Sequence, residues 1–237
     1  MSAAVPAAGR AASDPAAALV SGARWRTTVI TYGFPAAGFR WEYTTGFTGG
    51  FLPANDTEKA LYRKALGEWA AASGGAVRFV ETTPDKARLR LAVTTARLGT
   101  LPNGTPFRGY TYFPGGKARN GDTWLNADLR GFGYADGRKG GWIMRHEIGH
   151  ALGLKHPHQG SPTLPVALDC AVHTVMTYRT YCGDPTPNGW PDTLKSYPYV
   201  LGDLDGRAIR LIYAPAGSSA LTRLPQRARP DAPLGQE

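Results

Sequence analysis

Cysteine is nearly absent from this chain of 237 residues, which has only Cys170 and Cys182. Two cysteines cannot frame a disulfide scaffold, and their spacing matches no zinc-ribbon pattern. They are either two buried thiols or one bridge closing a short loop, and a bridge would require an oxidising compartment. Long apolar runs are also missing. No stretch approaches the roughly 18 apolar residues of a membrane-spanning helix, so a soluble protein without a membrane span is expected. A dense Lys/Arg block is lacking too. The formal net charge is +9, but the basic residues are scattered, which argues against nucleic acid as a partner and for a solvated surface. The first residues lack the compact apolar core of a signal peptide, because Pro6, Arg10 and Asp14 interrupt it. No internal repeat is present.

Hydrophobic residues make up 42% of the chain, enough for a real core. Residues 1–23 and 215–237 are rich in Ala, Gly, Ser and Pro and read as flexible tails, although the Ala-rich run is also compatible with a short helix. Residues 24–214 read as one folded unit. Thr27–Phe34 is a β-branched and aromatic strand. A helix over Asp56–Ser73 follows, with Asn55 as N-cap, Glu58 completing a capping box, Leu61, Ala65, Trp69 and Ala72 on one face, and Gly74-Gly75 as the stop. AVRFVET and Arg88–Thr95 are two further strands, the second alternating. Arg108–Pro114 and Asp122–Asn126 are two more, joined by a Gly-rich turn. A helix begins near Gly141–Trp142, and a last one runs from Asp203, its N-cap, to about Tyr213. The intervening stretch from His156 to Val200 is long, loop-rich and of functional character.

The chemistry is concentrated in H146-E-I-G-H-A-L-G-L-K-H156. On a helix, His146 and His150 project from one face a turn apart and can chelate one ion. Gly153 ends the helix, since glycine accepts the left-handed turn cheaply. The chain then turns back so that His156 supplies a third nitrogen. Three neutral histidines and a water make an open tetrahedral catalytic zinc site. Glu147 adjoins the first ligand and faces the zinc-bound water rather than the metal. It is placed to take that water's proton and pass it to a leaving amine, which is hydrolysis of a peptide bond without a covalent intermediate.

This extended motif, HExxHxxGxxH, resembles that of the metzincins, and Pro157 after the third histidine is similar to the serralysin branch of the M10 metallopeptidases. The family's second signature, a Met-turn, is matched by TVMTYR, with Met176 twenty residues after His156. The resemblance implies that Met176 packs beneath the metal. It also implies that Tyr178 is a switchable fifth ligand that swings aside to stabilise the tetrahedral intermediate. It extends over about Arg24–Pro215 through VITYGF, EWA, GYTYFPGG, GDTWLN and DLDGRAIRLIYA. The implied fold is an α/β (α+β) zincin-type catalytic domain: a twisted mixed five-stranded sheet with long helices, and an active-site cleft above a small C-terminal subdomain. In such a fold Gly109, Tyr110 and Thr111 lie on the sheet edge, where an extended substrate peptide adds by main-chain pairing. Tyr110 and Tyr112 are read mainly as packing residues.

The resemblance has gaps. The calcium-binding glycine-rich repeats of serralysins do not occur, so calcium is unsupported and type I secretion is not carried over; Asp122 is the one candidate calcium contact, with too few carboxylates around it. No cysteine precedes the zinc helix, which excludes a cysteine switch. Cys170 and Cys182 bracket the Met-turn and, if bridged, would stiffen the floor of the site. His158 reads as a solvated loop residue and His173 as a packing residue. The expectation is a monomeric, secreted zinc endopeptidase with one Zn2+, acting on protein or peptide substrates. The alternatives are a selective processing protease or toxin with one target, and a catalytically silent zinc-binding recognition module.

Overall fold

The computed structural model describes residues 14–100, 104, 106–132, 138–187 and 200–213. The tail residues 1–13 and 215–237, and residues 188–199 of the long loop, lie outside the described residues.

Six strands form one mixed sheet. They are β1 (Val29–Gly33), β2 (Phe51–Leu52), β3 (Arg78–Glu81), β4 (Leu89–Thr94), β5 (Gly109–Thr111) and β6 (Asp122–Asn126), in the order β3-β1-β4-β6-β5, with β2 pairing β4 off this path. β1 runs parallel to β3 and β4, and β4 parallel to β6; β5 is antiparallel to β6 and closes one end of the order. The sequence reading of five strands omits β2, a two-residue piece too short to carry a pattern. The helices are α1 (Gly46–Gly49), α2 (Asp56–Ala72), α3 (Lys139–Leu152) and α4 (Asp203–Tyr213).

α2 starts where the capping box places it. The Asn55 side chain accepts from Glu58 N at 2.9 Å, and Glu58 Oε2 accepts from Asn55 N at 2.7 Å. It ends at Gly74 and Gly75, whose φ angles of 66° and 82° suit glycine. Its buried face of Leu61, Tyr62, Ala65, Leu66 and Trp69 meets α3. There the Trp69 indole donates to Arg145 O at 3.1 Å, and Arg145 makes a two-pronged ion pair with Glu68.

β4 departs from its apparent half-buried alternation, since all six residues are buried. The reason is Arg90. Its guanidinium pairs with Asp122 of β6 at 2.7 and 3.0 Å, and lies 5.2 Å above the Trp41 ring. A charged residue therefore sits in the interior of a central strand, which hydrophobic periodicity reads as a surface position. The same pairing occupies Asp122, whose other contact is the Tyr43 hydroxyl at 2.5 Å. Both carboxylate oxygens are thus engaged, and the candidate calcium contact is instead part of an internal ion pair.

Successive strand residues face opposite sides of a sheet. On β6, Trp124 meets Trp41, Phe47 and Phe51 on one side. Its neighbour Thr123 meets Thr111 of β5 on the other, the side covered by α3.

The expected start of the folded unit at residue 24 is corrected. Residues 15–19 form a 3-10 turn whose Ala16, Ala17, Ala18 and Leu19 are buried, packed against α4. Val20 then bridges Leu154. The small alanines fit closely under a helix, so a composition typical of tails here serves packing. Among the described residues no helix is long and apolar enough to cross a membrane.

Candidate metal centre

α3 presents His146 and His150 on its buried side, and Gly153 ends it with φ 104°. A side chain at Gly153 would collide with the carbonyl of Ala23, so glycine is required both for the turn and for the close approach. The N-terminal segment pins the chain just beyond the helix. Ser21 N and Oγ donate to Gly153 O at 3.0 and 2.7 Å, and Lys155 N donates to Leu19 O at 2.7 Å. His156 follows at once.

The three Nε2 atoms converge: His150 lies 3.0 Å from both His146 and His156, and these two are 3.1 Å apart. Each Nδ1 is engaged elsewhere, His146 with Val175 O at 2.7 Å, His150 with Leu154 O at 2.8 Å and His156 with Gln159 Oε1 at 3.0 Å. Carbonyl oxygens only accept, so the ring protons sit on Nδ1 and the Nε2 lone pairs point at one another. Three buried lone pairs without a proton between them repel unless a cation lies among them. The donor set of three neutral imidazoles fits Zn2+, and the group is one that could hold a metal ion. Burial lowers the proton affinity of all three rings, bringing His150 to about 4, so they are neutral and ready to ligate.

Glu147 is buried next to His146, and Thr111 Oγ1 donates to its Oε2 at 2.7 Å. Burial pushes its carboxyl up to about 8, against the pull of the Thr111 hydroxyl. A Cβ at Gly109 would overlap the Glu147 carboxylate. β5 therefore reaches this residue through Gly109 and Thr111, while Tyr110 turns to the other face and packs on Phe47 with ring centroids 5.2 Å apart.

The Met-turn lies under the centre. A Cβ at Gly149 would meet Met176 Sδ at 2.5 Å and the Trp69 ring at 3.2 Å, so the thioether fills the groove beneath α3. Tyr178 is buried, its ring 4.1 Å from that of His156 and stacked on His146 at 5.8 Å. Burial, then the charge of Glu147, raise the proton affinity of its phenol, keeping it a neutral donor. The turn is anchored to α4: Asp205 accepts from Thr174 Oγ1, Val175 N and Gly202 N at 2.6, 2.9 and 2.8 Å. Val175, so held, is the residue that orients His146.

Two loop histidines differ from their sequence reading or refine it. His158 is half-buried rather than solvated, with its ring parallel to that of His156 at 5.6 Å and 5.5 Å from Tyr178. His173 lies outside the metal triangle and pairs with Asp203 at 3.0 Å. Cys170 and Cys182 form a disulfide. Residues missed in the sequence are Thr111 as the partner of Glu147 and Gln159 as the partner of His156. Only the short H-x-x-Q spacing could have hinted at the second.

Family comparison agrees with this geometry. The Met-zincin family model matches residues 141–227, which begin on α3. Serralysin A of Dickeya chrysanthemi is 34% identical over 137 residues, covering 54% of this chain and 28% of that protein. Serralysin C of the same organism is 31% identical over 140 residues. Serralysin of Proteus mirabilis is 30% identical over 171 residues, covering 63% of this chain and 33% of its own length. Over about half of its length the chain is therefore similar to serralysins, and the stretch that opens on the histidine helix matches the Met-zincin model. The chain spans a third or less of the length of these curated relatives. The stretch matched by the family model takes in the histidine helix and the TVMTYR segment described above.

Proposed function

We propose that the chain is a zinc-dependent endopeptidase acting on protein or peptide substrates. The observation that carries this reading is the convergence of three proton-free Nε2 atoms next to the buried carboxylate of Glu147. Zinc held by His146, His150 and His156 would supply Lewis acidity, bringing the pKa of a water toward neutrality and polarising a carbonyl.

The protein's own groups do the rest. Glu147, buried next to His146, takes the proton of the attacking water. It then delivers that proton to the departing amine. The Thr111 hydroxyl keeps the carboxylate aimed. Tyr178, neutral and adjacent, donates its phenol hydrogen to the developing oxyanion. The substrate lies extended along the outer edge of β5, at Gly109, Tyr110 and Thr111, where main-chain pairing serves varied sequences. Secretion to an oxidising compartment is part of the same reading, supported by the Cys170–Cys182 bridge.

The test is a peptide-library digest by the zinc-loaded protein, with and without a chelator, beside Glu147→Gln. The chelator should abolish cleavage. The variant should lose at least about a thousandfold in kcat while retaining one equivalent of zinc. Cleavage that persists in the variant overturns the role of Glu147. A zinc-loaded wild type that cleaves no library member overturns the peptidase reading and leaves a recognition module.

A further inference from the structure

We propose that Cys170, His173 and Cys182 form a second, redox-gated metal site, which takes a borderline-soft divalent cation such as Zn2+ once the disulfide is reduced. One donor atom from each of the three residues lies within 4.8 Å of the others, and the group is separate from the histidine triangle. Two thiolates and an imidazole are a zinc donor set, with a fourth position left for water. His173 offers one ring nitrogen to this group. Its Nδ1 lies 3.0 Å from Asp203 Oδ1, which leaves Nε2 as the free nitrogen and supplies the carboxylate partner that metal-bound histidines use. The local backbone also brings the donors together: His173 N donates to Cys170 O at 3.0 Å, a turn that holds the C-x-x-H pair on one loop. Cys182 is exposed and Cys170 is buried, so the bridge is open to a reductant from one side.

The two states exclude each other. A dithiol reductant gives two electrons and two protons to the Sγ–Sγ bond, yielding two thiols and the oxidised, cyclic disulfide of the reductant. Metal binding then releases both thiol protons to solvent. The disulfide state belongs to an oxidising compartment and the thiolate–metal state to a reducing one. The site lies at the base of the Met-turn. Leu204 N donates to His173 O at 3.1 Å, and the next two residues, Thr174 and Val175, are held by Asp205. Whichever state is present therefore bears on the segment that orients His146.

The experiment uses the full chain with its histidine site filled by one equivalent of zinc. The chain is reduced with a dithiol, freed of reductant under argon, shown to have two free thiols, and titrated with Co2+. The expected result is a second equivalent of bound metal with a near-ultraviolet thiolate-to-cobalt charge-transfer band, which the all-nitrogen histidine site cannot produce. The unreduced chain should bind no second equivalent and show no band. Cys182→Ser should lose the band and keep the first equivalent. His173→Ala should weaken the second site at least about tenfold. A reduced chain that takes up no second equivalent, or a band unchanged in His173→Ala, overturns the proposal. Neither result depends on peptidase activity.

Discussion

At the scale of single residues, the three histidines proposed to hold the metal are held by acceptors of unequal stiffness. His146 and His150 lean on the main-chain carbonyls of Val175 and Leu154, whereas His156 leans on the side chain of Gln159. A main-chain carbonyl is already fixed by the fold, but a glutamine must give up rotamer freedom to serve. Gln159→Ala should therefore lower zinc affinity by about 10–100-fold, and Gln159→Glu, which keeps an acceptor oxygen, should retain it. Competition against a chromophoric chelator measures both, and equal affinities for the alanine variant and the wild type would refute the role. The contrast also explains what was legible in the sequence. His146, Glu147, His150 and His156 are close along the chain, so a helix and a glycine turn suffice to bring them together. Thr111 is 36 residues from Glu147 and reaches it only because the edge strand folds against α3. Its type, a threonine in a strand, carries no mark of that task.

At the scale of elements, local signals were readable wherever the determinant was itself local. The Asn55–Glu58 capping box and the glycine pair delimit α2 to within a residue. β4 alternates in sequence yet is buried on both faces, because Arg90 finds its partner on a different strand, β6. The N-terminal segment has the composition of a tail because its role is tertiary. It pairs Val20 with Leu154, the residue whose carbonyl orients His150, and Leu19 O holds Lys155 next to His156. Seating of this segment and metal binding are then thermodynamically linked, and the linkage is reciprocal. Zinc should slow amide hydrogen exchange in residues 19–25 as well as in 146–156. Protection confined to 146–156 would mean that the segment does not brace the ligands. A second element-level contact titrates. Arg63 on α2 grips Glu81 on β3 through Nε and Nη2, each at 2.7 Å, and this holds the Glu81 carboxyl below its ordinary value of 4.5. A carboxyl with a lowered folded pKa stabilises the fold fully above its unfolded pKa, and the contribution is lost as pH falls through the folded one. Because the pair is well exposed, a double-mutant cycle of Arg63→Ala and Glu81→Ala should give a coupling of about 0.5–1 kcal/mol at pH 7. The coupling should fade below pH 4.5, and one unchanged at pH 2.5 would show that it is not ionic.

For the whole molecule, the metal centre joins parts that have little else in common. His146 and His150 belong to α3, His156 to the loop after it, and the carbonyl behind His146 to a Met-turn tied to α4 through Asp205. Burying three uncompensated lone pairs 3.0–3.1 Å apart is unfavourable without an ion, so the native state should bind zinc far better than the unfolded chain does. A ligand at about a thousand times its Kd adds about 4 kcal/mol to the stability of the state that binds it. For a domain of this size, each kcal/mol moves the melting temperature by about 2–4 °C. Removing zinc with a chelator should thus lower the Tm by about 10 °C, and adding back one equivalent should restore it. His156→Ala separates this linkage from a nonspecific effect of the chelator, since the variant lacks one of the three nitrogens but keeps the helix pair. Its Tm should resemble that of the chelated wild type and respond only weakly to zinc. Should the wild type melt at one temperature with and without metal, the centre would be a rigid, preformed cavity whose stability comes from the surrounding packing of Trp69, Trp142 and Met176, and the ion would serve chemistry alone.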